Sequence, residues 1–181
     1  MSISKWDFDL THSSINFHVR HLMVSKVHGR FHKWGGVLDL DEANLTNSRL
    51  DVTIDAASVD TREDKRDAHL RSPDFLDVDH HPSITFKSTL IEKAGDTYKV
   101  TGDITIHGIT KQVVLDVEGG EQVKDPWGGT RTGFSATARL NRKDFGLTWN
   151  LALEAGGFVV GDKLEISIEI EAVKAAASAA A

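Results

Sequence analysis

Histidine is the residue type in this sequence best suited to bind a metal, because nine of the 181 residues are histidines and none is a cysteine. Four of them follow one another at intervals of three, seven and four residues: His18, His21, His28 and His32. These intervals match no zinc-binding pattern, and His18 and His21 fall on opposite faces of an extended strand. The pair at positions 80 and 81 supplies no further pattern. The sequence therefore predicts no metal site and no other cofactor.

Nucleophilic and phosphate-binding chemistry also lack their sequence patterns. The chain contains no Gly-x-Ser-x-Gly motif, no Gly-x-Gly-x-x-Gly motif and no Gly-Lys-Ser/Thr motif. Its glycine pairs, such as Gly35–Gly36 and Gly119–Gly120, are typical of turns between strands. The residues thus predict that the protein is not an enzyme.

Charge and composition restrict the partners. The 21 lysines and arginines stand against 27 acidic residues, so the net charge is −6, and no basic run offsets it. Such a chain repels phosphate backbones, which excludes nucleic acid as an expected partner. The first residues contain no apolar signal-peptide core, and no stretch is long enough for a membrane span. We expect a cytoplasmic protein, periplasmic if a leader has been removed, without stable membrane insertion.

Alternation of apolar and polar residues dominates the chain and predicts an all-β fold. Between Lys163 and Ala172 every even position is apolar and every odd position is polar or charged, as on a strand with one buried face. The same period identifies eight strand candidates, centred near residues 17, 38, 52, 87, 102, 115, 137 and 168. We expect one domain over residues 1–174. The alanine-rich tail, 175–181, should be a frayed end or a short helical extension.

Only the region around residues 60–80 breaks this period, and it predicts one or two short helices near residues 62–78. Thr61 and Asp64 have the spacing of a capping box. A second helix start is indicated at Ser72, which is followed by a proline and an acidic residue. The apolar residues of the segment would face the rest of the protein, as a lid or wall of a tunnel or as a fixed plug.

Eight antiparallel strands can form either a sandwich or a closed barrel, and the strand count does not distinguish them. Small residues stand at core-facing positions where a filled core would use large ones: Ser88, Gly102, Ala136 and Ala138. This pattern favours an internal cavity, although the same residues would also fit the taper of a packed barrel.

Several blocks of the sequence resemble the YceI-like family, and they occur in the expected order from about Trp6 to Ala172. The most specific block is RDAHLRSPDFLDV at residues 66–78. The others are WDFDLTHSSINF (6–17), HLMVSKVHGRF (21–31), HPSITF (81–86), GDITIHGITK (102–111) and NRKDFG (141–146).

This resemblance implies an eight-stranded antiparallel lipocalin-like barrel that holds a long isoprenoid chain, such as a quinone tail or a polyprenyl phosphate. The function would be storage, transport or sequestration of that lipophilic molecule. Two departures stand out: many family members carry a secretory leader, and Leu76 stands where the family often has a second aromatic residue.

The candidate ligand-binding residues follow from strand phase and from the helical segment. The tunnel lining is predicted to include Phe17, Val19, Phe31, Phe75, Phe86, Ile104, Ile106, Phe134 and Leu140. Leu76 would shape the pocket beside Phe75. A polar headgroup near the mouth would be held by His21, Arg142 or Trp149.

Two alternative functions stay open on the sequence alone. One is a metal-dependent hydrolase or isomerase that uses histidines on a barrel. The other is a stress-response module with a packed core and a protein partner. Pairing of two copies into a homodimer is also left open by the sequence.

Overall fold

The structure, a computed structural model, describes residues 2–177. They form eleven strands, one α-helix and three short 3₁₀ turns. The strands are β1 (Ile3–Phe8), β2 (Ser14–His21), β3 (Ser25–Phe31), β4 (Trp34–Asp41), β5 (Arg49–Asp55), β6 (Val59–Asp60), β7 (Ser83–Ala94), β8 (Thr97–Ile106), β9 (Ile109–Lys124), β10 (Thr130–Asn141) and β11 (Val160–Lys174). The helix α1 is Asp64–Arg71, and the 3₁₀ turns are Leu45–Asn47, Ala56–Ser58 and Arg142–Phe145.

The strands close into an eight-stranded antiparallel barrel, which confirms the predicted fold and decides against a sandwich. The order around the barrel is β1-β4-β5-β7-β8-β9-β10-β11, and β11 returns to β1 where Trp6 lies opposite Lys174. The remaining strands extend the wall, because β2 pairs with β11, β3 with β2 and β6 with β3. Closure leaves no free edge in the ring.

The two ends of the barrel carry different connections. One end, called here the helix end, carries α1, the β2–β3 and β8–β9 turns and the loop between β10 and β11. The other, called here the terminus end, carries both chain termini and the β4–β5, β7–β8 and β9–β10 connections. At the terminus end Trp6, Leu38, Leu40 and Ala172 form a small buried cluster, and the larger apolar cluster fills the rest of the wall's inner face.

The segment that interrupts the strands contains one α-helix, and the predicted details of its ends were wrong. Glu63, rather than Thr61, caps α1, because its carboxylate accepts hydrogen bonds from the backbone N–H groups of Lys65 and Arg66. The Thr61 hydroxyl donates instead to the buried Asp67 carboxylate. No second helix starts at Ser72 in the described chain. Residues 72–80 form successive turns, in which the Ser72 hydroxyl donates to the His69 carbonyl.

The last described strand ends at Lys174, and residues 175–177 have no regular structure. The end of the predicted tail, residues 178–181, lies outside the described residues. Among residues 2–177, no helix is both long enough and apolar enough to cross a membrane.

Candidate ligand-binding cavity

An apolar cavity with a volume of about 280 Å³ lies inside the barrel. Side chains from all eleven strands line it, and Val59 is the single contribution of β6. Along β11 the lining positions are Val160, Leu164, Ile166, Ile168 and Ile170, so the cavity is elongated along the strand. The alternation visible in the sequence directs these side chains inward.

Most of the residues predicted as the lining do surround this cavity. The structure brings eleven of the thirteen candidates to its wall: Phe17, Val19, Phe31, Phe75, Leu76, Phe86, Ile104, Ile106, Phe134, Leu140 and Arg142. The rings of Phe17 and Phe31 contact each other with their centres 5.6 Å apart. Phe75 and Leu76 come from the turns that follow α1, not from a helix. Whether these residues bind a ligand stays a prediction.

Two glycines shape the wall by leaving space for phenylalanine rings. Gly29 lies directly opposite Phe17 in the β2–β3 pair, and a Cβ atom at Gly29 would stand only 2.3 Å from the tip of the Phe17 ring. Gly102 is covered in the same way by Phe86, with a Cβ distance of 2.4 Å. Glycine therefore lets each ring lie flat against the neighbouring strand and keeps the middle of the barrel open.

The four small residues have different roles. Ala136 lines the cavity, whereas Ala138 is packed within the apolar cluster of the wall. Gly102 is covered by a ring, as described above. Ser88 uses its hydroxyl oxygen to accept a hydrogen bond from the backbone N–H of Leu50 at 2.9 Å. Only Ala136 thus opens the cavity in the way that the sequence pattern indicates.

Arg142 is buried at the helix end, with 2% of its surface exposed, and its guanidinium organises the loop that follows it. Its N–H groups donate to the backbone carbonyls of Leu147 at 2.6 Å, Gly161 at 2.8 Å and Trp149 at 2.9 Å. Burial lowers the pKa of Arg142 below its ordinary value, and Asp162 at 3.6 Å opposes that shift. These hydrogen bonds fix the backbone at this end of the cavity, and a headgroup contact of Arg142 stays a prediction.

The other two headgroup candidates lie off the described cavity wall. His21 ends β2 opposite Val160. Trp149 packs behind Phe75, with ring centres 5.4 Å apart, and edge-on to His69 at 4.7 Å. Trp149 therefore supports the wall from outside. A contact of either residue with a headgroup near the mouth stays a prediction.

The sequence did not single out several residues that line the cavity. Among them are Trp34, Leu45, Ser48, Arg49 and Tyr98. Trp34 packs edge-on against Phe8, which also lines the cavity, with ring centres 5.2 Å apart. Strand period could have identified Tyr98, which occupies the inward phase of β8 together with Val100 and Ile104. Leu45 lies in a 3₁₀ turn, so no period marks it.

One cluster with metal-ligand chemistry, Asp9, His12 and Glu171, already contains a cation from the protein. The Arg131 guanidinium donates to Asp9 at 2.9 Å, to Glu171 at 2.6 Å and to Asp125 at 2.9 Å. Hydrogen bonds from Thr11, His12 and Arg131 hold the pKa of Asp9 well below its ordinary value. Arg131 thus takes the place that an ion would need.

Comparison with known proteins agrees with the fold. The pattern of the YceI-like domain matches residues 6–172. Protein YceI of Salmonella newport is 38% identical over 170 residues, which cover 94% of this chain and 86% of that protein. Burkholderia cenocepacia BcnA has the same fold, with a TM-score of 0.80 at 23% identity, over 91% of this chain and 99% of that one.

A third similar protein is a solved polyisoprenoid binding domain from Saccharophagus degradans. It shares the fold with a TM-score of 0.66 at 15% identity, over 95% of this chain and 99% of that chain. Because the family pattern spans almost all of the described strands and the YceI protein is similar over nearly its whole length, the chain belongs to the YceI-like family.

Proposed function

We propose that the barrel binds one long lipophilic chain of the polyisoprenoid type in its cavity, and that it stores, carries or sequesters this molecule. The observation that carries the proposal is the elongated apolar lining. On β11 alone it runs from Val160 to Ile170, about 33 Å of extended strand. A narrow apolar cavity of this shape suits a flexible hydrocarbon chain better than a compact polar substrate.

Transfer of a hydrocarbon chain from water provides the driving force. Each 100 Å² of apolar ligand surface that enters the cavity contributes about 2.5 kcal/mol before the entropic cost of binding. A prenyl chain has no group that needs activation, so the lining needs no acid, base or nucleophile. The function is accordingly binding rather than catalysis.

The Saccharophagus degradans domain supports the chemical class of the ligand, since a protein with the same fold is described as polyisoprenoid binding. Because that domain is only 15% identical to this chain, the similarity shows a shared fold, and the ligand of this chain, including its headgroup, is proposed. A quinone tail and a polyprenyl phosphate share the apolar chain that the cavity would accept, and binding assays with both distinguish them.

Mass spectrometry of the intact protein under native conditions tests the proposal directly. Protein purified from cells without detergent should carry a bound lipid of several hundred daltons. Delipidated protein should then take up a long-chain polyprenyl phosphate or the corresponding quinone in a one-to-one ratio. Failure to retain and to take up any of these lipids would overturn the proposal.

Three adjacent positions on β10 provide matched variants. Ala136→Phe places a ring in the cavity, so it should abolish lipid binding and preserve folding. Thr137→Phe points outward on the same strand and should preserve both. Ala138→Phe overpacks the wall and should lower the free energy of unfolding by about 1–3 kcal/mol. Lipid binding that survives Ala136→Phe would show that the ligand does not occupy this cavity.

A further inference from the structure

Three side chains with metal-ligand chemistry meet at the helix end of the barrel, away from the cavity lining. They are Asp77, His81 and His107, and one ligand atom from each lies within 4.8 Å of the other two. All three are partly buried. The sequence did not indicate this cluster, because His107 is separated from the other two by two complete strands.

Two tight turns hold these residues together. Asp77 has a left-handed backbone with φ of 46°, and its carbonyl accepts a hydrogen bond from the His81 N–H at 2.8 Å. His107 also has positive φ, 53°, in the β8–β9 turn. The next residue, Gly108, provides space for the imidazole, since a Cβ there would stand 2.8 Å from His81 Cε1. Non-glycine residues seldom adopt positive φ, so the fold pays a conformational cost here.

The side chains around the cluster orient its ligands. Nδ1 of His107 lies 3.1 Å from the backbone carbonyl of Phe145. Because a carbonyl can only accept, this contact places a hydrogen on Nδ1, so Nε2 is the ring nitrogen that can bind a metal when the imidazole is neutral. Nδ1 of His80 lies 2.9 Å from the Asp77 carboxylate. In metal sites a ligating histidine usually donates its other ring N–H to a carbonyl or a carboxylate, and a ligating carboxylate is usually hydrogen-bonded by a neighbour. His107 and Asp77 have these two kinds of contact.

We propose that Asp77, His81 and His107 form a binding site for a divalent first-row transition-metal ion, with Zn²⁺ as the best fit. Two imidazoles and one carboxylate are a frequent zinc ligand set, which leaves a fourth position for water. Ligand atoms around a tetrahedral zinc stand about 3.4 Å apart, so the cluster must close by up to about 1.4 Å. Rotation of side chains at the partly exposed end of the barrel can provide this movement.

The other candidate clusters are less suited to bind an ion. Arg131 neutralises the cluster of Asp9, His12 and Glu171, as described above. His18 and His28 face each other across β2 and β3 with ring centres 5.3 Å apart, but His18 Nε2 is already engaged by Glu165 at 2.5 Å.

The position of the site suggests its effect. Asp77 and His81 belong to the turns that also carry Phe75 and Leu76, whereas His107 belongs to the barrel wall. A bound ion therefore fastens the segment that closes the helix end of the cavity to the β8–β9 turn. The site is separate from the lipid proposal, because none of its ligands lines the cavity.

Calorimetric titration of the full chain without a histidine tag, with ZnCl₂ as the probe, tests the site. We expect one Zn²⁺ per chain with a micromolar or tighter Kd. His107→Gln and Asp77→Asn should each weaken binding more than about 100-fold, and His80→Gln by about 10–100-fold. His12→Gln is the matched control in the second cluster and should leave the affinity unchanged. Circular dichroism and thermal melting check that each variant is folded.

Nitrogen NMR of the histidine rings in the wild-type protein gives an answer that does not depend on the variants. Added Zn²⁺ should shift the ring signals of His81 and His107 at one equivalent. No heat and no shift would overturn the proposal, and so would shifts confined to His18 and His28. Zinc binding that is equally strong in Asp77→Asn and His107→Gln would overturn it as well.

Discussion

Replacement of Gly29 by alanine should push the Phe17 ring into the cavity. The new Cβ would stand 2.3 Å from Cζ of Phe17 and 2.8 and 2.9 Å from the two Cε atoms. Carbon atoms in contact normally lie about 3.5–4.0 Å apart, so the tip of the ring must move by about 1.2–1.7 Å. The three nearest atoms all belong to the Phe17 side chain, which lines the cavity, so rotation of this ring toward the cavity can relieve the strain.

The expected loss of stability is moderate because two effects oppose each other. Overpacking of a buried position costs about 1–3 kcal/mol. Alanine in place of glycine raises the free energy of unfolding by about 0.5–1 kcal/mol, because it lowers the conformational entropy of the unfolded chain. The free energy of unfolding should therefore fall by about 0–2.5 kcal/mol. If the displaced ring also removes about 50 Å² of ligand contact, lipid affinity should fall about tenfold.

Gly35→Ala on β4, the next strand along the chain, is the matched control, since a Cβ at Gly35 meets no atom within 4 Å. Gly102→Ala is a more severe companion, because its Cβ would meet the backbone carbonyl oxygen of Lys87 at 2.6 Å as well as Phe86. Urea denaturation should rank the variants Gly35→Ala, Gly29→Ala and Gly102→Ala in order of decreasing stability. Titration with a polyprenyl phosphate measures their affinities.

One result would refute this reasoning about the cavity wall. If Gly29→Ala is as stable as Gly35→Ala and binds the lipid with wild-type affinity, the Phe17 ring does not depend on Gly29 for its position. A crystal structure of Gly29→Ala with an unmoved ring would lead to the same conclusion.

Three further predictions concern charge, the buried arginine and the segment at the helix end. The stability difference between wild type and Asp9→Asn should be largest between about pH 4 and 6.5. The pKa of Asp9 is lowered by folding, so the stabilisation from its carboxylate is complete above the ordinary value of 3.8 and is lost as the pH falls below it. The pKa of His12 is raised from 6.5 by Asp9, so the stabilisation from their ion pair is complete below 6.5 and is lost as the pH rises through the raised pKa. Thermal melts across this range measure the difference, and a constant one would contradict the argument. Arg142→Met should lower the free energy of unfolding by about 3 kcal/mol in urea denaturation, because buried carbonyls lose their donor; a loss below about 1 kcal/mol would count against it. Amides from Leu70 to Val78 should gain protection from hydrogen exchange when a prenyl lipid binds, whereas equal protection would identify the segment as a fixed plug.

The sequence by itself predicted eight of the eleven described strands and most of the cavity wall. It did not predict β1, β3 or β6, and the ring of eight contains β1 in place of the predicted β2. Side-chain direction on a strand has a period of two residues, which is a local property, so the alternation from Lys163 to Ala172 is sufficient to orient Ile166, Ile168 and Ile170 inward. The same reasoning placed Phe17, Phe86 and the other strand residues at the wall. The resemblance to a known family added the closure of the barrel.

Features that depend on contacts between distant residues were beyond the local pattern. The capping residue of α1 moved from Thr61 to Glu63 because Asp67 accepts the Thr61 hydroxyl in the folded protein. The local pattern likewise does not show that the Arg142 guanidinium donates to the Leu147 and Trp149 carbonyls of the loop that follows it.

Only the tertiary structure decided how the barrel closes and which histidines meet. Trp6 and Lys174, which pair where the barrel closes, are 168 positions apart in the sequence. His81 precedes β7 and His107 follows β8, so two complete strands separate them along the chain. Strand period fixes the direction of a side chain but not its neighbour across the fold. That neighbour depends on register and closure, which are set by the packing of the whole chain.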